Sequence, residues 1–103
     1  MAPLKQDIRN ETERGFILQT LVDWGLEWMP LREVKIQLIR NVGYMVEEAQ
    51  VEYHLQYLEQ AGYAETKTLR AKQVGLQLKA VRGTAKAVDL VEGRIAPDPG
   101  VAF

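Results

Sequence analysis

Apolar residues recur at helical spacing in three parts of the chain. Spacings of three and four residues place side chains on one face of an α-helix. They predict a first helix from Asp7 to about Trp24, a second from Leu31 to Asn41 and a third from Val46 to Gly62. Pro30 suits the first turn of the second helix. Gly15 costs about 1 kcal/mol relative to alanine inside a helix, so we expect the first helix to start or bend there. The residues expected to face the core are Ile8, Ile17, Leu18, Leu21 and Val22, then Val34, Leu38 and Ile39, then Val51, Leu55 and Leu58.

The end of the first helix is rich in large side chains. Trp24, Leu26, Trp28 and Met29 lie within six positions and are followed by Pro30. We expect the two tryptophans to fill the core beneath the second helix. The alternative is an exposed aromatic patch that contacts a partner subunit.

A β-hairpin is predicted after the third helix. The segments Glu65–Leu69 and Leu76–Ala80 have strand-like composition with partial alternation of polar and apolar residues. The link between them contains Arg70 and Lys72, so the tip of the hairpin is expected to be basic.

The remainder of the chain is predicted to hold one short helix and an irregular tail. Thr84 can cap a helix in which Val88 and Val91 face inward and after which Gly93 ends the helix. Pro97 and Pro99 exclude a helix beyond it. We therefore expect a loose segment at residues 1–6, one domain at residues 7–93 and an extended tail at residues 94–103, whose Ile95, Val101 and Phe103 are available to pack on the domain or on a neighbouring subunit.

A short helix, a glycine-bearing turn (Asn41-Val42-Gly43-Tyr44), a longer helix and a hairpin follow one another. This order resembles the winged helix-turn-helix domain. The sequence Leu58-Glu59-Gln60-Ala61-Gly62-Tyr63 before the hairpin and the exit at Thr84 are similar to bacterial regulators of the MarR and PadR types, although those often have glycine where this chain has Ala87. The Pro-Asp-Pro-Gly tail also resembles small proteins of Mu-like prophages. The resemblance implies an α+β fold, mainly α, with three helices, a two-stranded wing and a short C-terminal helix.

The same resemblance implies a transcriptional regulator that binds double-stranded DNA as a homodimer. On the third helix, the face opposite the expected core carries Gln50, Tyr53, Gln56 and Tyr57, and glutamine can hydrogen-bond adenine edges in the major groove. Cations on the second helix and the hairpin would contact the phosphate backbone. They are Arg32, Lys35, Arg40, Lys67, Arg70, Lys72 and Lys79.

The charge distribution keeps a second hypothesis open. The net charge is −1, whereas DNA-binding domains are often basic. The third helix is acidic: Met45–Gly62 contains four glutamates and no lysine or arginine. A winged-helix module that binds protein instead would use this acidic helix or the tryptophan-rich segment. If Glu47 and Glu52 project at the groove, DNA binding is disfavoured; if they pair with cations of the second helix, the objection weakens.

Residues for catalysis or metal binding are scarce. The chain has no cysteine and no serine, and His54 is its single histidine. Glu48 and Glu52 form an i,i+4 pair without further ligands. We expect a protein that is not an enzyme and that binds no metal or cofactor. With no signal-like segment and no apolar run of about 20 residues, we also expect no membrane association and a cytoplasmic location.

Overall fold

The computed structural model describes residues 5–70 and 77–103. These residues form four helices and three strands. In order they are α1 (Lys5–Asp23), β1 (Met29–Pro30), α2 (Leu31–Val42), α3 (Glu48–Gln60), β2 (Ala64–Arg70), β3 (Gln77–Gly83) and α4 (Ala85–Val91). None of the helices in the described ranges is long and apolar enough to cross a membrane.

The core forms where α1, α2 and α3 pack together and onto one face of the sheet. The predicted apolar positions Val51, Leu55 and Leu58 of α3 are all buried, as are Val34 and Leu38 of α2. Helical periodicity identified these positions correctly because each lies on a stripe that meets another element.

Helix α1 differs from the expectation in where it begins and in the exposure of Ile8. Lys5 and Gln6 were expected in the loose terminus but are helical, and Gln6 hydrogen-bonds to Asn10 one turn later. Ile8 was expected in the core but is 51% exposed. It lies on the solvent side of α1, away from the buried Ile17, Leu18 and Leu21, so no other described element covers it.

The sheet has three antiparallel strands in the order β1-β3-β2. Strand β2 pairs with β3 from Ala64↔Gly83 to Arg70↔Gln77, which is the predicted hairpin. The sequence pattern missed β1, whose two residues pair with Val81 and Ala80. A two-residue strand has no periodicity to detect, and its Pro30 is tolerated because β1 lies at the sheet edge.

The connection from α2 to α3 is the turn of a helix-turn-helix. Gly43 ends α2 in the left-handed conformation, with φ of 79°, and its N–H donates to Ile39. Five residues later α3 begins, and α3 leads through Gly62 and Tyr63 into β2. With the hairpin and the additional strand β1, this is the winged helix-turn-helix architecture, and the α+β fold predicted from the sequence is confirmed.

The tryptophans do not fill the core. Trp24 is 52% exposed, and Trp28 is half-buried on the outer face of the sheet. There the Lys67 ammonium lies 4.1 Å from the centroid of the Trp28 ring and the Arg82 guanidinium lies 4.7 Å from it. The expectation failed because Gly25 and Leu26 both adopt positive φ, which turns the chain out of α1 before Trp28. Met29 takes the buried position instead.

The C-terminal segment binds along α1. The N–H of Ala102 donates to the carbonyl of Glu11 at 3.0 Å, and Val101 is buried. A Cβ atom at Gly15 would overlap the carbonyl oxygen of Ala102. Gly15 therefore does not start the helix, which is continuous from Lys5 to Asp23; it lets the tail approach the helix backbone.

Helix α4 begins at the predicted cap. The Thr84 hydroxyl accepts a hydrogen bond from the Ala87 N–H. The buried side chains are Ala87 and Leu90, whereas Val88 and Val91, expected to face inward, are half-buried. A seven-residue helix has only two turns, and the surface of α1 on which it packs determines which of its side chains are buried.

Candidate functional site

The outermost side chains of α3 form an uncharged ridge. Ala49, Tyr53, Gln56 and Gln60 follow one another at spacings of four, three and four residues, and all four are exposed. We call these four residues the crest. Tyr53 and Gln56 were predicted as DNA contacts; Gln60 was not, because the helical pattern does not show how far the exposed face extends beyond Tyr57.

The carboxylates of α3 lie beside the crest rather than on it. Glu48, Glu52 and Glu59 occupy the side of the helix that faces the hairpin. Glu52 accepts a 2.7 Å hydrogen bond from the Lys79 ammonium, and Glu59 accepts one of 3.1 Å from the Thr66 hydroxyl. The Glu52 carboxylate raises the pKa of Lys79. We call these three residues the carboxylate flank.

A groove separates the carboxylate flank from the sheet. It has a volume of about 390 Å³, and its floor is apolar, formed by Leu31, Leu55 and Val81. Gln56 of the crest borders the same groove. The cation that pairs with Glu52 is Lys79 of β3 and not a cation of α2, the helix considered from the sequence.

Gln50 and Tyr57, the other two predicted DNA contacts, lie on the opposite side of α3. The Gln50 amide donates to the Asn10 side chain of α1 at 2.8 Å. The Tyr57 hydroxyl donates to Asp98 of the tail at 2.7 Å, and the Arg14 guanidinium lies 4.0 Å from the Tyr57 ring centroid. Both side chains are half-buried and occupied by contacts within the domain.

Asp98 joins α3 to the residue that begins the hairpin. Its second carboxylate oxygen accepts a 2.9 Å hydrogen bond from the Tyr63 hydroxyl, and its first also accepts from the Gly100 N–H. Desolvation opposes the ionised form of Asp98, but these hydrogen bonds outweigh it, so the pKa of Asp98 lies below its usual value. Burial and the Asp98 carboxylate raise the pKa of Tyr63 to about 12.

A buried polar network fixes α3 on α1. Glu13 and His54 are 1% and 0% exposed, and His54 Nε2 lies 2.9 Å from a Glu13 carboxylate oxygen. The Arg14 Nε–H donates to His54 Nδ1 at 3.2 Å, so the imidazole is neutral with its proton on Nε2, which donates to Glu13. The Tyr44 hydroxyl of the α2–α3 turn donates to the other Glu13 oxygen at 2.7 Å.

The electrostatics of this network follow from burial and from its partners. Desolvation lowers the pKa of His54, and the adjacent Arg14 cation lowers it further, against the opposing effect of Glu13. Desolvation raises the pKa of Glu13, but hydrogen bonds from Tyr44 and His54 outweigh it and hold that pKa below its usual value. Sequence reasoning missed Glu13 and Arg14, although both share helical spacing with the buried Ile17, Leu18 and Leu21.

The predicted backbone-contacting cations are spread over α2 and the hairpin. Arg32 and Arg40 are exposed and share one face of α2, whereas Lys35 is half-buried. Arg70 is exposed at the end of β2. Lys67 lies over Trp28, on the sheet face opposite to Lys79, since its cross-strand partner is Ala80. Lys72 lies outside the described residues.

Comparisons with known proteins place the chain by its fold. No family model matches the chain. No curated protein matches it either. A candidate transcriptional regulator from Thermoplasma acidophilum superposes with a TM-score of 0.71 at 17% identity, covering 87% of this chain and 81% of that one. A transcriptional regulator from Clostridium thermocellum gives a TM-score of 0.61 at 16% identity, covering 90% and 84%. At these identities the two likenesses show a shared fold.

Proposed function

We propose that this protein is a winged-helix transcriptional regulator that inserts the crest of α3 into the major groove of double-stranded DNA. The observation that carries the proposal is the absence of charge on the crest. The glutamates that made α3 look unsuited to DNA lie on its hairpin side, and Lys79 and Thr66 bind two of them. The side chains that would reach the bases are polar and neutral.

The crest offers the groups that base recognition requires. The amides of Gln56 and Gln60 can donate and accept together, which matches the N6 and N7 edge of adenine. Tyr53 is exposed and adds a hydroxyl and an aromatic ring. Gln50 and Tyr57 have a different part in the proposal: they hold α3 against α1 and the tail, and so orient the crest.

Phosphate contacts would come from both sides of the crest. On α2 the exposed Arg32 and Arg40 supply them, with Lys35 beside them. On the hairpin they come from Arg70, Lys79 and Lys67, together with Lys72 of the link. Each neutralised phosphate contributes affinity that does not depend on sequence and that weakens as salt rises.

The proposal extends to assembly and kind of regulator. A single domain of this size contacts few phosphates, so specific binding calls for two copies on two half-sites. We therefore propose a homodimer that acts on DNA in the bacterial cytoplasm without catalysing a reaction. The element order before and after the hairpin favours regulators of the MarR and PadR types, and the tail favours a prophage source.

A second candidate function rests on the carboxylate flank. The flank places three glutamates along one side of the helix, and Glu52 and Glu59 border a groove with an apolar floor. A basic peptide segment of another protein would complement this charge. In that case the protein would bind a partner protein through the groove and not DNA through the crest.

Replacing the crest side chains distinguishes these two functions. Preferred duplexes would first be selected from a random pool, and affinities then measured by fluorescence anisotropy. We expect Tyr53→Ala with Gln56→Ala to weaken binding to the selected duplex at least about tenfold, because base contacts are worth about 1–3 kcal/mol each. Binding to a mixed-sequence duplex should change little. Equal affinity of the variant and the parent for the selected duplex would contradict the proposed role of the crest.

Replacing Arg70, one of the hairpin cations, tests the proposed phosphate contacts separately. Arg70→Ala should weaken binding to every duplex alike and reduce the slope of log affinity against log salt by about 0.9, the value for one phosphate. Arg94→Ala is the matched control, because it removes an exposed arginine that lies after α4. An unchanged slope in Arg70→Ala would remove this residue from the interface.

A further inference from the structure

The solvent side of α1 carries an uncharged stripe that no other helix or strand of the described residues covers. Ile8, Thr12, Phe16 and Gln19 lie on it at spacings of four, four and three residues. Ile8 is 51% exposed and Phe16 is 36% exposed. We call these residues the α1 stripe. Charged residues make up 26% of the chain, and the solvent side of a helix is where they are expected, yet these four positions carry none.

The tail widens this apolar surface. Phe103 is 66% exposed and lies beside the α1 stripe, where Ala102 is hydrogen-bonded to Glu11. Between the tail and the helix is a hollow of about 260 Å³ whose lining is entirely uncharged. Its lining residues are Thr12, Gly15, Phe16, Gln19, Ala102 and Phe103. An apolar patch that combines a helix face with an exposed phenylalanine is typical of a surface that another molecule covers.

The charges at the two ends of the α1 stripe indicate which molecule covers it. Lys5 begins the helix and Asp23 ends it, and both point in the same direction as the stripe at 100° per residue. A cation at a helix N-terminus and a carboxylate at its C-terminus are each unfavourable with the dipole of their own helix. In a second α1 that runs antiparallel, each of them meets the opposite charge.

We propose that a second copy of this chain docks on the α1 stripe, with the two α1 helices antiparallel about a two-fold axis. An axis between Thr12 and Phe16 sets Phe16 of one copy against Thr12 of the other. Lys5 precedes Thr12 by as many residues as Asp23 follows Phe16, so the same register sets Lys5 opposite Asp23 twice. The interface is isologous, because the same patch serves both copies.

This arrangement leaves the crest free. The residues of α1 that hydrogen-bond to α3, Asn10, Glu13 and Arg14, lie on the sides of the helix away from the stripe. A dimer built on the stripe therefore exposes two crests, one for each half-site. In this respect the inference rests on the homodimer of the proposed function, and it assigns that homodimer a surface.

Mass measurement across a concentration series tests the surface without DNA. Sedimentation velocity of the full chain should show a concentration-dependent dimer. Phe16→Asp should weaken self-association at least about tenfold, while its circular dichroism melting curve stays cooperative because the side chain is on the surface. Ile36→Asp is the matched control, since Ile36 is 41% exposed on α2 and lies outside the stripe. It should leave the dimer unchanged.

A charge exchange tests the antiparallel register. Lys5→Glu and Asp23→Lys should each weaken self-association, because each sets like charges opposite one another twice. Mixing the two variants should restore dimers, all of them mixed, since both opposing pairs then have opposite charge. A dimer that persists in Phe16→Asp, or a mixture that forms no mixed dimers, would overturn the proposed interface.

The same measurements separate this inference from the proposed function. A chain that is monomeric at every concentration and still binds duplex DNA would overturn the α1 surface and leave the role of the crest in place. A dimer that is lost in Phe16→Asp but binds no duplex would support the α1 surface and contradict the role of the crest.

Discussion

His54 is fully buried, and three neighbouring side chains determine its state. Its Nδ1 accepts a hydrogen bond from Arg14, and its Nε2–H donates one to Glu13. The Tyr44 hydroxyl donates to the second Glu13 oxygen. A second proton on the imidazole would remove the acceptor that Arg14 uses and place two cations side by side. His54 is therefore neutral in the folded protein, and its role is to connect α3 to α1.

The network gives the protein a stability that depends on pH. Because the pKa of His54 is lowered in the folded state, the unfolded chain takes up a proton below about pH 6.5 that the folded chain does not. The free energy of unfolding should therefore fall as pH decreases through this range, by at most about 1.4 kcal/mol per pH unit. Glu13 has a lowered pKa, so its contribution is present above its unfolded value and is lost at more acidic pH, as the carboxylate protonates.

Urea unfolding between pH 5 and 7.5 measures the histidine contribution. His54→Gln is the comparison variant, since it keeps a donor and an acceptor but does not titrate. The parent should lose stability below pH 6.5 and the variant should not show that additional slope. Equal slopes for the two proteins would contradict a neutral, buried His54.

At the scale of the elements, the position of the irregular C-terminal tail depends on a single residue of α1. The carbonyl of Ala102 occupies the space that a Gly15 side chain would need. The sequence pattern could identify Gly15 as unusual in a helix, but it could not show that a segment 87 positions later in the chain approaches it.

Gly15→Ala tests this contact. An alanine inside a helix usually stabilises it by about 1 kcal/mol relative to glycine. Here we expect a loss of about 1–3 kcal/mol in the free energy of unfolding, because the methyl group displaces the tail. In a chain truncated after Pro99 the same substitution should be neutral or stabilising. A stabilising effect in the full chain would show that the tail does not lie against Gly15.

Helix α3 shows what could and could not be predicted from its sequence. Its three core positions followed from periodicity alone, because a buried stripe has the period of the helix. The division of its other residues into the crest, the carboxylate flank and the side that faces α1 and the tail did not. Gln50 and Tyr57 are separated from Gln56 because they face α1 and Asp98, and the flank glutamates are separated from the crest because they face the hairpin. These distinctions depend on where other elements pack.

For the whole molecule, the architecture was predictable and its edges were not. The order of helices and the hairpin gave the winged-helix arrangement, whereas β1 is too short to leave a pattern. The position of the tryptophans depends on the positive φ of Gly25 and Leu26, a turn that composition does not reveal. Net charge was also a poor guide, because a value of −1 conceals the separation of the flank carboxylates from the crest.

The central claim is that the crest binds duplex DNA, and anisotropy with a mixed-sequence duplex across a salt series tests it most directly. We expect binding at low salt, with a log affinity that falls linearly with log salt at a slope of about −0.9 for each phosphate contacted. The same series on a selected duplex should show tighter binding. Tyr53→Ala with Gln56→Ala should weaken the binding to this selected duplex at least about tenfold. Absence of binding at about 20 mM salt, where even weak phosphate contacts persist, would contradict the account and favour a protein partner for the groove.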